Sequence, residues 1–314
     1  MGVCAGLRNK KSPANCDSKS ETFNFLDERK IFMSLVTSKE ILADAQKNGY
    51  AVGAFNVENM EMVQAVIEAA EEENAPVILQ TTPSTVKYAS MLVYLANVAA
   101  LAQTAKVPVV MHLDHGSSYE LAAQALRAGY TSIMIDGSKL PLEENIALTK
   151  KVVEMCAPAG IPVEGEIGQV GGKEDDTVCE NAGYTIPEEA VRFESETGLS
   201  SMAVGVGTAH GFYAKEPVLN KDLISELKSK LTVPMVLHGA SGISDDEVQD
   251  CIRRGICKVN FATELRVAFT DGVKSVLQEN PNAFDPKVLG KEGRARVKEL
   301  VKNRIRVCGC DGKA

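Results

Sequence analysis

The chain contains no tryptophan, only four histidines in 314 residues, and 5% aromatic residues in total. Its eight cysteines form no C-x-x-C pair, and no apolar run approaches the roughly 18 to 20 residues needed to cross a membrane. No secretory leader with an apolar core and cleavage site opens it. Basic residues are also in short supply, 34 against 42 acidic ones, a formal charge of -8 that would repel a phosphate polymer. With no basic stripe carrying interleaved aromatics, nucleic acid is not an expected partner. These absences leave reduced thiols, a cytoplasmic location and no membrane span as the expectation. A small phosphorylated ligand stays compatible, because local backbone N–H groups hold an anion against an unfavourable net charge.

What is present reads as an ordinary globular protein, 45% hydrophobic and 24% charged, long enough for one domain. Residues 1–33 lack helical or strand periodicity and read as a disordered arm outside the fold. Met33 reads equally well as the ancestral start, and "MGVC" does not complete a myristoylation signal, since Gly6 stands where Ser or Thr is required. The ending "VCGCDGKA" reads as a frayed tail with incidental thiols. The folded domain is therefore expected over 34–314.

Within it, β-branched runs alternate with stretches of helical periodicity, the mark of repeated βα units. Strands are expected at 50–55, 76–80, 107–113, 132–136, 161–167, 201–206, 233–238 and 256–261. Intervening helices such as "MEMVQAVIEAAEEEN" and "ELAAQALRAG" end in Asn or Gly, where a left-handed cap belongs. Eight such units predict a closed (β/α)8 TIM barrel. A doubly wound open sheet is the alternative, but no Gly-rich dinucleotide fingerprint follows the first strand.

The active site of such a barrel lies at the carboxyl ends of its strands. Read there, the sequence supplies Asn56, then His112, Asp114 and His115, then Asp136, Glu164 and Glu166, His210 in "GTAHG", His238 and Asn260. A histidine at each of three separate strand ends, with a fourth position left open, suits catalytic Zn2+. The ligands assigned are His115, His210 and His238. His112 reads as a supporting or rim residue. Asp114, beside a ligand, is placed to ligate or to move a proton, and the second role is preferred because the metal then keeps a vacancy. After the fifth strand about twenty residues pass before helical pattern resumes, long for such a connection. Gly171 and Gly172 offer a hinge there ahead of Glu174, Asp175 and Asp176. Phosphate sites gather after the last two strands, where the chain reads "HGASG" and "NFATE". Gly211, Gly239, Ala240, Ser241, Asn260, Phe261, Ala262 and Thr263 are the candidate contacts.

From about Ser34 to Cys308 the chain resembles the class II, zinc-dependent ketose-bisphosphate aldolases, closest to the tagatose-bisphosphate type and also similar to the fructose-bisphosphate type. The resemblance rests on "YAVGAFNVENME", "HLDHG", "MIDGS", "EGEIGQVGGKEDD", "AVGVGTAHG", "VLHGASG" and "KVNFATEL", in family order. It implies zinc on His115, His210 and His238, Asp114 as the acid/base at the C4 hydroxyl, and Glu174 as the loop carboxylate that exchanges a proton with the dihydroxyacetone phosphate carbon. It further implies Glu166 near the metal, a monovalent cation (Na+ or K+) near the phosphate, and a homodimer or homotetramer, while Asn56 is expected in support from its place at the end of the first strand. Ala262 stands where fructose-specific relatives usually place an aspartate, which favours tagatose or a relaxed specificity. Three other readings compete: a Schiff-base aldolase using Lys258, a zinc hydrolase, and a non-catalytic sugar-phosphate-binding barrel.

Overall fold

Short runs of Val, Ile, Leu and Met pair side by side in one direction, and the pairing closes on itself. The computed structural model describes residues 35–174, 177–179, 183–211 and 217–314, with the backbone alone at 173, 174 and 177–179. The arm expected over 1–33, together with Asp175 and Asp176, lies outside the described residues. The strands are β1 (Val52–Asn56), β2 (Val77–Thr81), β3 (Val109–Gly116), β4 (Ser132–Ile135), β5 (Val163–Ile167), β6 (Gly171–Glu174), β7 (Thr177–Cys179), β8 (Ser201–Val204), β9 (Ala209–His210), β10 (Met235–Leu237) and β11 (Ile256–Phe261). Eight of them form a closed parallel barrel in the order β1-β11-β10-β8-β5-β4-β3-β2. The fold is a (β/α)8 barrel, and the closed ladder excludes the open doubly wound sheet.

Almost every strand residue is buried, because helices cover the outer face while side chains fill the interior. The helices begin and end where local chemistry says they should. Asn59 accepts from the Met62 N–H to open Met60–Glu73, and Ser118 does the same for Tyr119–Ala128 through Leu121. Asn74 and Gly129 close those helices in the left-handed conformation.

The carboxyl terminus corrects the expectation of a frayed end. Cys308 and Cys310 are buried, and the N–H groups of Gly312 and Ala314 donate to the carbonyls of Glu73 and Asn74. The five described cysteines with placed side chains are all free and buried, and burial pushes the thiols of Cys156, Cys251 and Cys257 up to about 11. Among the described residues no single helix is long and apolar enough to cross a membrane.

The long connection after β5 is not an open loop. β6 and β7 form a hairpin, and β6 also runs parallel to β9, pairing Gly171 with Ala209 and Gly172 with His210. Gly172 has φ +88, and a Cβ there would stand 2.3 Å from the His210 carbonyl oxygen. Close approach of two backbones therefore accounts for this glycine, and it ties the hairpin to the segment that carries His210.

Candidate active site

Adjacent residues of a regular strand face opposite ways, so Asp114 and His115 could not both serve one site if β3 were regular. The ladder from β3 to β4 shifts register between Leu113 and Gly116, and His115 sits at φ 47. This bulge turns His115 to the same end of the barrel as Asp114. Left-handed backbone at a non-glycine residue costs on the order of 1–3 kcal/mol and persists only where the surroundings enforce it.

The bulge brings His115 to two histidines from distant parts of the chain. Ring centroids lie 5.0 Å apart for His115 and His210, 4.6 Å for His115 and His238, and 6.1 Å for His210 and His238. One nitrogen from each falls within 4.8 Å of the others, as do donor atoms of His115, Asp136 and Glu166. Asp114 belongs to neither group among the described residues.

Carboxylates orient two of these rings. His115 Nδ1 is 2.9 Å from Asp136 Oδ2, and Asp136 Oδ1 accepts from the N–H and hydroxyl of Ser138. Burial opposes ionisation of Asp136, yet the His115 contact holds it well below the usual carboxylate range. His238 Nε2 bonds to Glu164 Oε1 at 3.1 Å. Burial disfavours a charged His238, but its two carboxylate neighbours prevail and raise it to about 9. Burial, with Asp136 nearby, raises Glu166.

His238 Nδ1 and Glu166 Oε2 are 3.1 Å apart, both buried and neither in a hydrogen bond. A nitrogen lone pair and a carboxylate oxygen repel at that distance unless a proton or a cation joins them. Three imidazoles beside two carboxylates, with such an unresolved acceptor pair, fit a divalent cation of the zinc type.

His112 is not a rim residue. It is wholly buried below the cluster, with Nδ1 on the Ser132 hydroxyl at 2.8 Å and Nε2 3.9 Å from Glu164 Oε2. Burial and then Lys258 keep it well below the ordinary histidine range, hence neutral.

Asp114 occupies a different setting. Asn56 and Gln80 donate to its Oδ2 at 3.0 and 3.1 Å, and Asn260 donates to Oδ1 at 3.1 Å. Gln80 also donates to Asn56 Oδ1 at 2.8 Å, so amides from β1, β2 and β11 clamp one carboxyl group from β3. Gln80 was not singled out by sequence reasoning, although it stands beside Asn56 in the register of β1 and β2.

A pocket of about 360 Å³, open to solvent, is lined by Asn56, His210, Gly211, Gly239 and Ser241, and on its other side by Asn260, Ala262, Thr263 and Arg266. Six of the eight expected phosphate contacts meet there. Ala240 and Phe261 do not. Ala240 packs into the apolar core, while Phe261 stacks on Phe55 with centroids 5.6 Å apart, its side chain turned out of the barrel by strand alternation. Gly239, at φ +66, approaches Ala209 so closely that a Cβ would lie 2.6 Å from its carbonyl oxygen. Arg266, absent from the expected set, is held at the wall by Glu58, with Nε to Oε1 at 2.8 Å. Glu174 has its backbone in β6, two residues beyond the contact with His210, and its side chain lies outside the described residues.

The sequence profile of the family described as class-II fructose-bisphosphate aldolase matches residues 36–313. The chain belongs to that family. Among solved structures, the YdjI aldolase from Escherichia coli K12 is 40% identical, with 89% of this chain and 99% of that chain covered and a TM-score of 0.80. A fructose-bisphosphate aldolase (Fba) from Campylobacter jejuni is 24% identical over 90% of this chain and 97% of that one, with a TM-score of 0.76, a likeness that speaks for the fold. The protein is thus a class II aldolase, a lyase for aldol cleavage of ketose bisphosphates. Lys258, the candidate for a Schiff base, does not line the pocket and is paired with Glu164 inside the barrel.

Proposed function

We propose that the enzyme reversibly cleaves a ketose 1,6-bisphosphate, tagatose or fructose 1,6-bisphosphate or both, to dihydroxyacetone phosphate and glyceraldehyde 3-phosphate, with zinc on His115, His210 and His238. The observation that carries this reading is the convergence of those three rings at centroid distances of 4.6 to 6.1 Å beside the pocket. Bound there, zinc supplies Lewis-acid polarisation of the ketose carbonyl and offsets the negative charge that cleavage leaves on the three-carbon fragment.

The chain's own groups do the rest. Asp114, immobilised by Asn56, Gln80 and Asn260, takes the C4 hydroxyl proton, so the C3–C4 bond breaks and the aldehyde departs while its electron pair stays with C3. Glu174 returns a proton to C3, an assignment that rests on the family motif "GGKED". Asn260 Oδ1 is buried without a hydrogen-bond partner and offers an acceptor to a substrate hydroxyl. Gly211, Gly239, Ser241, Ala262 and Thr263 bind one phosphate. There Ser241 Oγ accepts from the Ala262 N–H at 3.2 Å, and the helix Thr263–Glu279 has no side-chain cap competing for its first N–H groups. Arg266 supplies a cation on the same wall for phosphate charge. A monovalent cation near that phosphate, a cytoplasmic location and a homodimer or homotetramer complete the proposal by family resemblance.

Cleavage of tagatose and fructose bisphosphates is compared side by side, with and without chelator. Triose phosphates should form only when metal is retained, with tagatose at least equal to fructose, as expected for Ala262. Full turnover after exhaustive chelation, or release of inorganic phosphate in place of triose, removes the reading.

A further inference from the structure

Below the histidines, the barrel interior holds an ion pair with no contact to the pocket. Lys258 Nζ lies 3.1 and 3.0 Å from the two oxygens of Glu164, and both side chains are buried. Ser201 adds a hydroxyl to Glu164 Oε2 at 3.4 Å. Desolvating two charges costs several kcal/mol, and well-packed apolar side chains fill such a space at least as stably. Stability alone therefore does not explain the pair.

We propose that Lys258 and Glu164 are positioning residues for His238, fixing which imidazole nitrogen it presents to the metal. This rests on the reading of His115, His210 and His238 as zinc ligands. A carboxylate only accepts hydrogen bonds, so the 3.1 Å contact from Glu164 Oε1 puts the imidazole proton on His238 Nε2. In the neutral ring, the form that ligates a metal, the lone pair is then on Nδ1, the atom that faces Glu166 Oε2. Lys258 touches both oxygens of Glu164, which keeps the carboxylate plane from rotating out of reach of His238.

His115 is arranged in the opposite sense. Asp136 takes its Nδ1, leaving Nε2 for the metal, and Ser138 fixes Asp136 as Lys258 fixes Glu164. Two ligands thus offer different nitrogens, each selected by its own anchored carboxylate. Partners of this kind change metal affinity typically 10- to 100-fold.

The test uses the full chain, with zinc affinity measured by competition against a chromophoric chelator, the visible spectrum of the Co2+-loaded protein, and the melting temperature of the metal-free protein. Two variants are compared with wild type. Glu164→Leu/Lys258→Met removes both charges and the acceptor for His238 Nε2 while filling similar volume, and Glu164→Asp keeps the charge pair but withdraws the carboxylate. Each should bind zinc about 10- to 100-fold more weakly and show a shifted Co2+ spectrum. A pair with a purely structural role moves only the metal-free melting temperature. Either variant, once folded, that keeps the wild-type spectrum and an affinity within about threefold of wild type overturns the inference. Wild-type protein that binds no zinc instead overturns the ligand assignment beneath it.

Discussion

Two clusters stand side by side at the mouth of one barrel, and they are built by opposite rules. Around Asp114, three neutral amides from three strands point N–H donors at one carboxyl group. Around His238, imidazole and carboxylate acceptors crowd together, and Nδ1 and Glu166 Oε2 face each other at 3.1 Å with no hydrogen bond to settle them. The first cluster holds its carboxyl group with neutral donors and leaves only two neutral amide oxygens, Gln80 Oε1 and Asn260 Oδ1, without a hydrogen-bond partner. The second becomes favourable only when positive charge enters. The proposed base is thus preorganised by uncharged groups, while the charged groups gather at the proposed cation site.

The contrast breaks most visibly at the histidines. His115→Ala should abolish both zinc content, read by elemental analysis, and triose formation, because it removes a ligand shared by both donor groups. Retention of stoichiometric zinc would remove His115 from the ligand set. Asp114→Asn should behave differently, lowering kcat by roughly 10²–10⁴-fold with zinc content unchanged, as removal of a general acid/base does. Loss of metal from that variant would make Asp114 a ligand. The smallest effect is expected at the clamp. Gln80→Leu takes one donor from a carboxylate worth about 1.5–3 kcal/mol, and if that loss is felt in the transition state, kcat falls about 10- to 100-fold while metal is kept. Wild-type turnover from Gln80→Leu would reduce the clamp to packing.

Much of this was legible before any coordinates. The run "ICKVNF" is β11 without adjustment, and the other barrel strands lie within about three residues of their expected ends, because parallel strands buried on both faces write continuous apolar runs. The three clustered histidines also carry a local mark. His115, His210 and His238 are each followed by glycine, whereas His112 is followed by leucine and lies deeper. Gly211 and Gly239 adopt positive φ after their histidines, and at Gly116 a Cβ would stand 2.3 Å from the Met134 carbonyl oxygen. That dipeptide separates metal candidates from the structural histidine by backbone need alone.

Other features left no such mark. Gln80 reads as any polar strand end, and Ala240 and Phe261 shared the motif of true pocket residues while their side chains belong to the core. The hairpin of β6 and β7 lies in a stretch whose glycines suggest freedom, although one of them is forced by contact with His210. Lys258, suggestive of a nucleophile by strand alternation, became half of an ion pair once Glu164 was opposite.

By itself the sequence determined the repeating βα units, the end of the barrel at which chemistry gathers, and the residue types brought there, since these follow from periodicity and from the direction of parallel strands. Which nitrogen His238 presents, which amides hold Asp114 and which lysine is neutralised were decided only in three dimensions. Each is a contact across the barrel between residues dozens of positions apart or more, and hydrogen-bond direction at that range is set by closure of the sheet and by one bulge in β3, not by neighbours in the chain.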